Sequence, residues 1–266
     1  MVVAPNSFNS SAGPSELSAP WVRVGGIFGL VTVAVLLGGA ILLGGSNTLN
    51  DTSTSTAIAN YVAAHQSSLV ELTVVTVVGS ALGLWFLATV ATLIRASDPR
   101  SPLAAVALCS GVVATSLSAW DGVTMSALVF LHRQGAPNDP TLVRAFFDLQ
   151  NGLLMPGLFG GFIATFLIAV GVAITRGGLT HRWVGPLAVV LGAVSVVGSV
   201  DALLRTGGGT STLGYAPVLS YGAVTLLLSV TMLSGQSRTR IVEGVRLDAV
   251  VPTTSRAERD DVGQRT

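Results

Sequence analysis

The stretch LVELTVVTVVGSALGLWFLATVATLI, residues 69–94, decides the fold: apart from Glu71 near its start it has no charged side chain. Wound as a helix, it is long enough to cross about 30 Å of hydrocarbon, which takes roughly 20 mostly apolar residues. Its apolar positions are continuous rather than confined to one helical stripe, so no side of it is built for water. Five more windows read the same way, at residues 24–45, 103–131, 152–175, 184–204 and 214–234. Hydrocarbon offers nothing to unpaired backbone groups, so membrane spans are helices or closed barrels. These windows are far too long for barrel strands. The expected fold is all-α, a polytopic transmembrane helical bundle of about six spans occupying residues 21–235.

Half of the residues are hydrophobic and 10% are charged, with mean hydropathy +0.70. A soluble domain would carry roughly a quarter charged residues. All 14 basic side chains are arginine, a bias that points to a GC-rich coding sequence and a bacterial, actinobacterial source. A net charge of +1 without a dense basic stripe argues against a nucleic-acid partner. The lipid bilayer is the expected partner instead. Cys109, the single cysteine, falls inside a span and is expected to be a small buried residue. The first window exceeds the 7–15 apolar residues of a signal-peptide core and no A-x-A site follows it closely, so it is read as a retained span.

Arginine placement sets the expected orientation. With the N-terminus inside, Arg23, Arg95, Arg100, Arg176, Arg182, Arg238, Arg240 and Arg246 lie near the inner surface. The outer loops hold only Arg133, Arg144 and Arg205. The positive-inside rule then puts both termini in the cytoplasm, with the chain in the bacterial plasma membrane. Residues 1–20 and 236–266 are polar or charge-mixed without apolar periodicity and are expected to be disordered cytoplasmic tails.

Each of two outer loops carries the marks of a short surface helix. Asp51 and the Ser/Thr run after it offer N-caps, and Ile58, Tyr61, Val62 and His65 follow at helical spacing. Asp139 is a second N-cap candidate with Pro140 at the first helical position, then Leu142, Val143 and Phe146 on one face. Pro156 would kink that helix. Spans two and three also echo spans four and five: Glu71 with Asp148, Arg95 with Arg176, Asp121 with Asp201, at offsets of about 80 residues, as a parallel repeat would give.

Three short stretches resemble a group of actinobacterial conserved integral membrane proteins of unknown function. They are Trp85-Phe86-Leu87 leading to Leu93-Ile94-Arg95, Asp139-Pro140-Thr141-Leu142-Val143-Arg144-Ala145 with Asp148 after it, and Arg182-Trp183-Val184-Gly185. The last is similar to the group's Arg-Trp-Leu-Gly turn, with Val184 in place of leucine. The resemblance covers residues 20–235 and implies six spans without a soluble domain. It brings no activity and no site residue.

Chemistry, if any, is expected from embedded carboxylates, which cost about 2.5–3.5 kcal/mol at a helix centre on insertion scales and face the bundle interior or water. Asp121 is the deepest and lies among Thr115, Ser116, Ser118, Thr124 and Ser126. Asp201 has Arg205 four residues on, Asp148 has Arg144 four residues before it and Asn151 three after, and Glu71 opens span two. Together they make a candidate buried polar or ion site, Asp121, Asp201, Asp148, Glu71 and Asn151, in the outer half of the bundle. Arg144 and Arg205 are the candidate ion-pair partners. His65 and His132 are near the same mouth, but no His-x-x-x-His or Glu-x-x-His pair supports a metal site. Gly25-x-x-x-Gly29 and Gly157-x-x-x-Gly161 allow close helix approach, first within the chain and second in a homo-oligomer or with a membrane-protein partner. No phosphate loop, zinc helix, nucleophile elbow or thiol pair is present, so no cofactor and no catalytic residue is expected.

Three functions are consistent with these features. The first is a non-enzymatic accessory or envelope component. The second is a small proton- or ion-coupled transporter with Asp121 and Asp201 in an outward-open cavity, which requires spans three and five to face each other. The third is a lipid-modifying enzyme built on His65, His132 and a carboxylate.

Overall fold

The computed structural model describes residues 19–43, 53–134, 140–149, 157–204 and 212–234. The tails expected at 1–20 and 236–266 fall almost wholly outside these residues. Among the described residues eight α-helices follow one another: α1 (Ala19–Leu43), α2 (Ser55–Ala64), α3 (Gln66–Ser97), α4 (Leu103–Arg133), α5 (Pro140–Asp148), α6 (Gly160–Gly177), α7 (Val184–Leu204) and α8 (Ala216–Leu233). No strand occurs among the described residues. All but α2 and α5 are long and apolar enough to cross a membrane, which makes six spans. The chain is an all-α multi-pass membrane bundle.

The six spans pack in chain order as a closed ring: α1 against α3, α3 against α4, α4 against α6, α6 against α7, α7 against α8, and α8 back against α1. The ring is not empty. α6 also reaches α3 and α8, and 67% of its span is buried against 28–39% for α1, α3, α4 and α7. Its interior is a single apolar cluster that includes Phe86, Leu87, Phe166, Leu167, Val170 and Val224. The outside is equally apolar: Val74, Val77, Val112, Val123, Val190 and Val197 are all exposed. An apolar exterior of this extent belongs in lipid, not in water.

Hydrocarbon gives no hydrophobic drive between helices, so these spans must associate through close packing of small residues. The α6/α7 seam shows how. Gly171 lies so close to α7 that an added Cβ would stand 2.7 Å from the Gly185 carbonyl oxygen and 2.9 Å from the Val189 nitrogen. Farther along, Gly192 faces the Ala164 carbonyl and Gly160 takes the Ser199 hydroxyl. The turn between the two helices starts at Gly178, whose φ of +61° suits a residue without Cβ and whose N–H donates to the Ile174 carbonyl at 2.9 Å. Of the two expected glycine pairs, Gly25 and Gly29 are packed inside the chain, against Thr89 and against Ser229 with Phe86. Gly157 meets Leu203, whereas Gly161 has open space beside it.

At one end of the bundle lie Arg23, Arg95, Arg100, Arg176 and Arg182, all exposed, with Trp21 and Trp183 at the same level. Amphipathic rings beside cations are typical of the membrane–water boundary. The other end is capped. α3 and α4, of 32 and 31 residues, are about 47 Å long, well beyond a hydrocarbon layer of about 30 Å. Their excess length projects at this capped end, where α2 and α5 cross over them and pack on each other. A second apolar cluster, separate from the main core, joins the four: Ile58 and Val62 of α2, Leu69 of α3, Leu128 and Val129 of α4, Val143 and Phe147 of α5.

Two expectations need correction. Cys109 is exposed on the bundle surface, because it occupies the lipid side of α4 rather than the side facing α3 and α6. In α5 the residue beneath Val143 is Phe147, which is 2% exposed, while Leu142 is turned outward. The helix starts at Pro140 as expected, and four residues separate the buried pair. α2 likewise forms where its caps and spacing placed it, with Thr54 as the N-cap: its hydroxyl accepts from the Ala57 N–H at 3.2 Å. Only His65, at φ −118° and ψ 27°, separates α2 from α3, so span two begins at Gln66 and Glu71 is more than a turn inside it.

Candidate functional site

Asp148 and Arg144 are paired as their spacing suggested. Arg144 meets the carboxylate with two parallel contacts, Nη2 to Oδ1 and Nε to Oδ2, each 2.8 Å. This fork holds both groups in one plane. The remaining arm of the guanidinium donates from Nη1 to the Ser53 carbonyl at 2.8 Å, just before the first turn of α2. The Phe147 ring lies 5.9 Å below the guanidinium carbon. Arg144 thus closes the cap: it binds its own helix through Asp148, leans on the buried ring, and holds the start of α2.

Of the other sequence candidates, the side chains of Glu71 and Asp201 fall among the described residues. Glu71 is exposed on α3. Asp201 is half-buried near the end of α7 and has an interaction partner. The side chain of Asp121, together with Asn151 and Arg205, lies outside the described residues. Asp121 belongs to α4 and Asp201 to α7, and α6 is packed between those two helices. Spans three and five therefore do not face each other as the carrier scheme required. His65 stacks on Tyr61 with ring centres 4.3 Å apart and its Nδ1 lies 3.0 Å from the Tyr61 carbonyl. Near it Arg133 Nε donates to Gln66 Oε1 at 3.1 Å, tying α4 to α3. Among the described residues no three His, Cys, Asp or Glu side chains come together as metal ligands would.

A different polar feature lies deeper. Helix register puts hydroxyls from three spans in one layer. On α1 and α8, Gly26 meets Met232, Gly29 meets the Ser229 hydroxyl, and Leu37 meets Gly222, which sets Thr32 level with Thr225. On α1 and α3, Gly29 meets Phe86 and Thr32 meets Gly83. Across from Gly83 stands Thr115 of α4. The Tyr221 hydroxyl points to Thr225 and Thr115 without reaching a hydrogen bond of good geometry with Thr225. Ser80 is one turn toward the cap and Ser229 one turn toward the arginine end. The layer is about 14 Å along α1 from Arg23, near mid-depth of a hydrocarbon layer of about 30 Å.

Ser and Thr are ordinary in spans, where each can bond its own helix, so they mark no layer in the sequence. One signal was present. Tyr221 is well inside its span, whereas tyrosine favours the membrane boundary. Set against protein-family models, curated proteins and solved structures, the chain matches none of them.

Proposed function

We propose that this chain is a non-enzymatic component of a bacterial plasma membrane, of the kind found among actinobacterial integral membrane proteins, with its arginine end in the cytoplasm. The observation that supports this reading most is the use made of Arg144 and Asp148. The expected outer site contributes its clearest charged pair to closing a cap over α3 and α4, not to an open cavity. A helical cap of this type offers an outward surface of fixed shape, as an accessory or scaffolding role needs. The basic, tryptophan-edged end suits the anionic inner leaflet.

A small proton- or ion-coupled carrier is the second reading. The mid-depth hydroxyl layer favours it, because carriers place their sites near the bilayer midplane. Flux separates the two. Purified protein in liposomes enclosing a pH-sensitive dye, under an imposed pH gradient with and without Na⁺ or K⁺, is expected to leak no faster than protein-free liposomes. A protein-dependent flux that Asp201→Asn removes would replace the accessory role with the carrier.

A further inference from the structure

A helical serine or threonine normally has a simple way to satisfy its hydroxyl in lipid: it donates to the carbonyl one turn back. In this bundle Thr73, Thr76, Thr92, Ser116, Thr165 and Ser195 all do so, at 2.7–3.0 Å. Thr32, Ser80, Thr225 and Ser229 do not. They are 0–5% exposed; Thr32, Ser80 and Ser229 have no hydrogen-bond partner within the protein, and Thr225 has only the Tyr221 hydroxyl beside it. All four belong to the mid-depth layer of α1, α3 and α8 or lie one turn from it. Buried hydroxyls are bonded in the large majority of cases, so four exceptions in one place call for a common cause.

The layer is also less tightly packed at one point. Most interhelical glycines here are filled tightly: a Cβ at Gly111 would be 2.6 Å from Leu87, and the space beside Gly29 is taken by the Ser229 hydroxyl. Gly83 differs. A carbon added there would meet nothing closer than Thr32 Cγ2 at 3.5 Å, Thr115 Cγ2 at 3.8 Å and Thr32 Oγ1 at 3.9 Å. The Gly83 face is thus in ordinary contact rather than jammed, and it lies beside the Thr32 hydroxyl, which has no partner.

We propose that this hydroxyl layer is a water-binding site at the centre of the membrane domain, seated at Gly83 and held by Thr32, Ser80, Thr225 and Ser229. Chemistry selects the guest. Each hydroxyl carries a proton that needs an acceptor, and a metal cation supplies none. An isolated cation at this depth would also be a charge in hydrocarbon without a carboxylate among these residues to balance it. An acyl chain would leave all four hydroxyls unmet. Water both donates and accepts, and roughly two molecules provide enough lone pairs for the four protons. The proposal holds whether the chain is an accessory protein or a carrier.

Two substitutions and one spectroscopic measurement test it, all on the full chain in phosphatidylcholine–phosphatidylglycerol nanodiscs. Thr32→Val keeps the side-chain shape and deletes a hydroxyl that has no partner in the protein. Gly83→Ala adds a methyl in ordinary contact with Thr32 and Thr115 and favours the helix. If water is bound, each removes or strands part of its network, and each melts roughly 3–8 °C below the parent. If the layer is dry, Thr32→Val removes a buried unmet polar group and Gly83→Ala only adds contact, so both melt at or above the parent temperature. In the unmodified protein, water-edited solid-state NMR is expected to transfer magnetisation from water to Thr32 and Thr225 side chains, but not to the apolar core at Val224. Absence of that transfer, or a Thr32→Val melting temperature equal to or above the parent's, overturns the proposal. The NMR result stands even if a variant fails to fold.

Discussion

Gly171→Leu is expected to abolish the folded bundle. At this position α6 and α7 touch backbone to backbone, with the Gly185 carbonyl 2.7 Å from where a Cβ would be. Beside the Val189 Cγ2 methyl at 2.8 Å, the Val189 backbone nitrogen is 2.9 Å away, and with two backbone atoms this close the helices themselves must separate. Gly171→Ala already forces this and should cost about 1–3 kcal/mol, the usual range for overpacking a tight interior. Leucine adds three more carbons to the most buried span. Because lipid supplies no hydrophobic drive to hold α6 and α7 together at a greater distance, the lost contact is not recovered elsewhere. Detergent-solubilised Gly171→Leu should elute as aggregate in size exclusion where the parent is monodisperse. Gly161→Leu is the control: Gly161 has open space beside it and faces outward, so this variant should elute like the parent. Equal behaviour of the two variants would mean that α6 and α7 do not cross at Gly171.

Phe147→Ala is expected to open the cap and leave the spans intact. Phe147 is 2% exposed and belongs to the cluster with Ile58, Val62, Leu69, Leu128, Val129 and Val143, which shares no residue with the main core. This cluster lies at the water-facing end, so the hydrophobic effect contributes to it as it does in a soluble protein. Truncating a buried phenylalanine costs about 3–5 kcal/mol, which should raise amide exchange in α2 and α5 by two orders of magnitude or more. Arg144→Ala should act in the same direction and less strongly. It removes the fork to Asp148 and the bond to the Ser53 carbonyl, both partly exposed to solvent. Amides of α6 and α7 should be unaffected in both variants. Exchange that rose equally through the spans would show the cap and the bundle to be one cooperative unit.

The spans were legible in the sequence because length and apolar continuity are local properties, readable window by window. The cap helices were legible for a related reason, since Thr54, Pro140 and the spacing of Ile58 and Val62 act within one turn. The Arg144–Asp148 pair came from i,i+4 spacing alone. What the sequence could not supply was azimuth. On a helix that is apolar all round, nothing marks which side faces lipid, so residue type alone argues for a buried Cys109 where the structure has it exposed. For the same reason Asp121 and Asp201 could be matched in depth but not separated by α6. The hydroxyl layer depends on the relative register of α1, α3, α4 and α8, which no single segment encodes.

That hydrocarbon surrounds these helices can be tested on Cys109 as it stands. It is exposed on the bundle surface and about 9 Å along α4 from Leu103, at a depth where neither water nor a charged reagent should reach. Native membranes are treated with a sulfonated, membrane-impermeant maleimide from both sides, before and after unfolding in sodium dodecyl sulfate. In a Cys109→Ser background, His181→Cys serves as the water-exposed standard. The account predicts no labelling of Cys109 until the detergent is added, with prompt labelling of the standard. Labelling of Cys109 in native membranes at the rate of the standard would place this surface in water and contradict the membrane-spanning bundle.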